Sequence, residues 1–131
     1  LSAPVAFQIP PGSAGFPVLA AELAAALDAL GVDPRTRYRA ELIAEEIVTN
    51  LAKYGGDTGP VEIRLAPGEA GLELAILDRG APFDPETPVP EARDDEPGGL
   101  GLMLVRKMAA RLDYGPADDG RNRLTVLIAA S

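Results

Sequence analysis

The break at Gly31-Val32-Asp33-Pro34 constrains this chain more than any other feature. Before it, residues 16–30 are rich in Ala and Leu and read as a helix. Gly31 then takes the place where a left-handed residue ends a helix. After it, Asp33 offers an N-cap and Pro34 suits the first helical position. A second helix is therefore expected from there to about Tyr54, where Gly55-Gly56 stops it. The flanking segments read as strands. Val5 to Ile9 alternates weakly before Pro10-Pro11. Val61–Leu65 and Leu72–Leu77 are apolar and β-branched, and Pro67-Gly68-Glu69-Ala70-Gly71 between them predicts a hairpin. Leu100–Leu112 has a helical pattern, and strands are expected near Leu112–Tyr114 and at Arg123–Ile128, around an Asp118-Asp119-Gly120 turn. The order β-α-α-β-β-α-β-β predicts an α+β fold. Helices cover one face of a mixed, mainly antiparallel sheet, forming an α/β sandwich.

Length fits one domain spanning residues 1–131. With 47% hydrophobic residues and no Trp, its core is built from Leu, Ile, Val and Ala. The net charge of −8 argues against nucleic-acid binding and suits a basic partner. The chain has no cysteine, hence no disulfide framework and no thiolate metal site, in keeping with a cytoplasmic location. Its apolar runs are short and interrupted, so no membrane span is expected. No signal peptide is read. The absence of histidine excludes a Ser–His–Asp triad and a phosphohistidine within this chain.

The second helix carries the most interesting chemistry. Stepping about 100° per residue from Ile43 places Ile47, Asn50 and Tyr54 on one core-facing stripe. A carboxamide there is costly without a partner. Glu46 lies on the flank of that stripe, one turn before Asn50, whereas Glu45 points toward solvent. The bland alternative is an Asn50 that bonds nearby backbone and a Glu46 that pairs with Lys53 or is simply solvated. The functional reading makes Glu46 a proton acceptor and Asn50 an oxygen ligand for a hard cation.

Two glycine-marked turns follow. Asp78 ends the apolar strand Leu74-Ala75-Ile76-Leu77, where a carboxylate can accept from an exocyclic amine such as that of adenine. Gly80 would let a ligand approach the backbone. Alone, this is an ordinary turn. Gly98-Gly99-Leu100-Gly101 opens an apolar helix, and such a start offers free N–H groups to an anion. Alone, it is a flexible joint with a cap, and it lacks the Gly-Lys-Ser/Thr of a Walker A loop. Residues 81–97 hold five prolines and no apolar period, so a long loop joins the two turns.

Taken in order, these segments resemble the GHKL, or Bergerat-fold, ATP-binding superfamily, and within it the bacterial anti-sigma-factor serine kinases. Glu46-Ile47-Val48-Thr49-Asn50 is similar to the family's N box. Asp78 to Pro85 is similar to its first glycine box, Gly98 to Val105 to its second, and Asn122 to Val126 to its closing strand. The resemblance implies a histidine-kinase-like ATPase domain that binds ATP with Mg²⁺. Asn50 would hold the cation and Glu46 would be the general base for a serine or threonine hydroxyl. Asp78 would bind the adenine amine with help from Thr125, Gly80 would line the adenine pocket, and Gly99 and Gly101 would face the phosphates. The segment from Asp84 to Gly98 would be the ATP lid. Its acidic residues Glu91, Asp94, Asp95 and Glu96 outnumber the single base Arg93, which leaves charge compensation to Mg²⁺ and backbone N–H groups. Lys53 and Arg106 are candidate phosphate-side cations or solvated helix residues. Val105, Met108 and Leu112 read as core.

The implied partners are a sigma factor and a STAS-type anti-anti-sigma protein, with no nucleic acid and no membrane, and the implied assembly is a homodimer. The competing reading is a non-catalytic ATP-binding module within a longer regulator. A histidine-kinase catalytic domain ranks below both. A gyrase- or chaperone-type ATPase needs transducer domains for which 131 residues leave no space.

Overall fold

A computed structural model describes residues 3–54, 59–80 and 105–130. Strand β1 spans Val5–Ile9, and after a short 3-10 turn helix α1 spans Gly15–Leu30. Helix α2 spans Pro34–Tyr54. Strands β2 (Val61–Gly68), β3 (Gly71–Asp78), β4 (Arg111–Pro116) and β5 (Asn122–Ala129) complete the described elements.

The helix break forms as its residues dictate. Gly31 adopts φ 65°, and its N–H donates to the carbonyls of Leu27 and Asp28. Two residues later the Asp33 carboxylate accepts the Thr36 N–H at 2.7 Å, a side-chain cap on the first turn of α2. An Arg37–Asp28 ion pair spans the break.

The five strands form one sheet in the order β1-β2-β3-β5-β4. All four ladders among the described residues are antiparallel, in keeping with the mainly antiparallel sheet expected. Both hairpins are local, and β5 slots between β3 and β4 because its Leu124, Val126 and Ile128 share one buried face with Leu72, Leu74 and Ile76. Val61, Ile63 and Leu65 of β2 extend that face. Onto it α2 lays Ala40, Ile43, Ala44, Ile47 and Val48, and α1 adds Leu19, Leu23, Ala26 and Leu27.

Three features differ from expectation. The β2–β3 hairpin is tighter: Pro67 pairs with Leu72 and Gly68 with Gly71, leaving only Glu69-Ala70 outside the ladder. Gly71 makes this possible with φ 143°. The helical stretch expected to reach Leu112 ends at Met108, and Arg111-Leu112 are already strand. Pairing with Val126-Leu127 captures these residues for the sheet, and local propensity yields to that ladder. Finally, Gly12–Leu30 is long and apolar enough to cross a membrane, contrary to the reading of its apolar runs as too short. Its leucine stripe nevertheless lies in the common core.

Candidate functional site

Helix α2 places the first pair of candidate residues. Asn50 is 2% exposed on the core-facing stripe, Glu46 is half-buried on its flank, and Glu45 is exposed. The Asn50 amide nitrogen donates to the Glu46 carbonyl at 2.9 Å and lies 3.4 Å from Glu46 Oε1. Both bonds use Nδ2. They orient the carboxamide, and among the described residues Oδ1 is the atom left to accept or to ligate; an amide oxygen suits a hard cation. The buried amide thus meets its need for a partner locally, one turn back along its own helix.

The end of β3 places the second group. Asp78 is 6% exposed, a deeply buried carboxylate. Its Oδ2 accepts the Gly80 N–H at 2.9 Å, which closes a tight turn over Arg79. Asn122 faces Asp78 across the β3–β5 ladder. Its Nδ2 donates to the Gly80 carbonyl at 2.9 Å and lies 3.4 Å from Asp78 Oδ2. Asp78 and α2 meet at a cavity of about 20 Å³, bounded also by Ile9, Pro11, Val48, Leu51 and Ala52. That volume is enough for a water molecule. It lies on the Val48–Ala52 flank of α2, opposite the flank that carries Glu46.

Thr125 is not brought to this group. It pairs with Ala75 and Asp113 in the ladder, one residue out of phase with the buried Leu124 and Val126. Successive side chains alternate across a sheet, so Thr125 lies on the face away from the helices. There it borders a broad concavity of about 640 Å³ with Arg64, Glu73, Arg111 and Arg123. Leu124 occupies the inward position, and the polar group beside Asp78 is Asn122. The alternation Asn122, Leu124, Val126, Ile128 is the sequence signal that puts a polar side chain, Asn122, on the core face.

Beside Asn122 lies an ion-pair network that the sequence did not suggest. Arg121 Nη1 donates to Glu62 Oε1 at 2.9 Å, and its Nε donates to Asp119 Oδ2 at 2.7 Å. Glu62 also accepts from Arg64. Hydrogen bonds from Arg64 and then Arg121 hold the Glu62 carboxyl below the ordinary carboxylate range. The backbone N–H of Arg121 does the same for Asp119, assisted by the Arg121 side chain. Ala117 N–H to Arg121 O at 2.7 Å closes the turn between β4 and β5.

Lys53 and Arg106 are both exposed. Val105 is buried, and Met108 and Leu112 pack against the core as expected. Gly99, Gly101, the lid from Asp84 to Gly98 and the Gly55-Gly56 stop lie outside the described residues.

A profile of the histidine kinase-like ATPase domain matches residues 14–128, from the start of α1 to the last turn of the core in β5. The chain belongs to that family: it is a GHKL-type, ATP-binding α+β domain. No curated protein matches it.

Proposed function

We propose that this domain is an ATP-dependent serine/threonine protein kinase of the anti-sigma-factor type. It would bind ATP with Mg²⁺, hold a sigma factor, and phosphorylate a hydroxyl on a STAS-type anti-anti-sigma antagonist. The observation that carries the reading is the Glu46–Asn50 pair. Asn50 is held by its nitrogen and keeps its amide oxygen for a cation. Glu46 stands beside it, partly exposed and able to take a proton from a substrate hydroxyl. When bound, Mg²⁺ would neutralise phosphate charge, which an acidic lid cannot do.

Asp78 supports the nucleotide half of the reading, since a buried carboxylate at a strand end is a specific acceptor for an exocyclic amine. The phosphorylated antagonist would carry added negative charge against a domain of net −8. Repulsion would release it, and the freed domain would return to the sigma factor. A homodimer acting in the cytoplasm is part of the same proposal.

Calorimetry with ATP and Mg²⁺ tests the site. The wild-type chain should bind only weakly without Mg²⁺. Asn50→Ala should weaken Mg²⁺-dependent binding about tenfold or more. Glu46→Gln should bind normally but lose phosphate transfer to the antagonist by roughly 10²–10⁴-fold. Normal transfer by Glu46→Gln would remove Glu46 as the base and leave an ATP-binding regulatory module.

A further inference from the structure

Asp78 can read an exocyclic amine only if its carboxylate is held still, and the residue that holds it comes from the opposite strand. We propose that Asn122 is a positioning residue for purine discrimination: its carboxamide ties Asp78 to Gly80 and so presents the other carboxylate oxygen to the 6-amino group of adenine. The proposal rests on the reading of Asp78 as the adenine acceptor.

The geometry supports it in three respects. First, both donors to the Asp78 carboxylate, Gly80 N–H and Asn122 Nδ2, reach Oδ2. Among the described residues no bond falls on Oδ1, so the carboxylate is oriented with one oxygen committed and one available. Second, the same Asn122 nitrogen bonds the Gly80 carbonyl at 2.9 Å. One side chain therefore fixes both the acceptor and the glycine that would let the base approach.

Third, Asn122 is itself anchored. It follows directly on Arg121, whose side chain is 13% exposed and bridges Glu62 of β2 to Asp119 of the β4–β5 turn. Glu62 pairs in the ladder with Leu77, the neighbour of Asp78. The network thus runs from the strand before Asp78 to the turn before Asn122, and it clamps the two ends that must stay in register.

The test compares ATP with inosine triphosphate, which carries an oxygen in place of the 6-amino group. Dissociation constants are measured for the wild type, Asn122→Ala, Asp78→Asn and the double variant. The wild type should prefer ATP. Asn122→Ala should lose about tenfold in ATP affinity while inosine triphosphate affinity changes less than about twofold. In the Asp78→Asn background the same substitution should cost nothing further. Asn122→Ser, which keeps a shorter donor, should fall between wild type and Asn122→Ala, and it serves in its place if Asn122→Ala does not fold. Equal losses for both nucleotides, or additive losses in the double variant, would make Asn122 a structural residue and overturn the proposal. Failure of the wild type to bind ATP at all would overturn the adenine reading of Asp78 along with it.

Discussion

Asn50 and Asp78 are the two buried side chains with the strongest claim on a ligand, and among the described residues each bonds through one of its two polar side-chain atoms. Asn50 spends its nitrogen on Glu46, and Asp78 spends one oxygen on Gly80 and Asn122. The other polar atom is in each case an oxygen. Asp78→Leu illustrates the difference from a packing residue. It should abolish the preference for ATP, and it should also release the Gly80 turn. The loss of two hydrogen bonds to a charged acceptor should lower stability by about 2–3 kcal/mol, read from urea unfolding of the free domain. The sequence alone singles out Glu46, Asn50 and Asp78 as candidates because helical phase and strand-end position are local properties. It misassigned Thr125 because the resemblance overrode the alternation. Leu124, Val126 and Ile128 already mark the inward phase, which leaves Thr125 pointing outward.

The elements hold these residues through their termini. Capping of α2 by Asp33 sets the start of the helix that carries the N box, and Asp33→Ala should cost about 1 kcal/mol, measurable as a lowered Tm. The β2–β3 hairpin depends on Gly71. Its φ is 143°, and a Cβ there would stand 2.0 Å from the Ile128 carbonyl oxygen. Gly71→Ala should therefore destabilise the domain by at least about 3 kcal/mol and shift the urea midpoint accordingly. Gly31 is a milder case. It is left-handed at φ 65°, but nothing lies within 4 Å of the added carbon, so Gly31→Ala costs only backbone strain of about 1 kcal/mol. Both glycines were legible as turn residues. That Gly71 also lies against β5 was not, because the clash arises from a strand 57 residues later in the chain.

For the whole molecule, charge and register set the behaviour. Glu62 and Asp119 are held below the ordinary carboxylate range by their arginine partners. The unfolded chain therefore binds protons more readily than the folded domain as the pH drops. Their contribution to stability is fully present above the unfolded values, near 4.5 for Glu62 and 3.8 for Asp119, and is lost as the pH falls through the depressed folded values. Unfolding free energies measured between about pH 6 and about pH 3 should decline toward acid, and Glu62→Gln should flatten part of that decline. A flat profile in the wild type would show that these ion pairs do not couple to folding. The sequence by itself determined the element order, the helix break, the core-facing stripe of α2 and the candidate residues on it. Each of those follows from the period of apolar residues and from the backbone preferences of Gly, Pro and Asp. Only the tertiary structure decided that β5 enters between β3 and β4, that Asn122 rather than Thr125 stands opposite Asp78, and that Arg121 joins Glu62 across 59 residues. Strand pairing and long-range ion pairs depend on which surfaces the folded core brings together, and no local period encodes that choice.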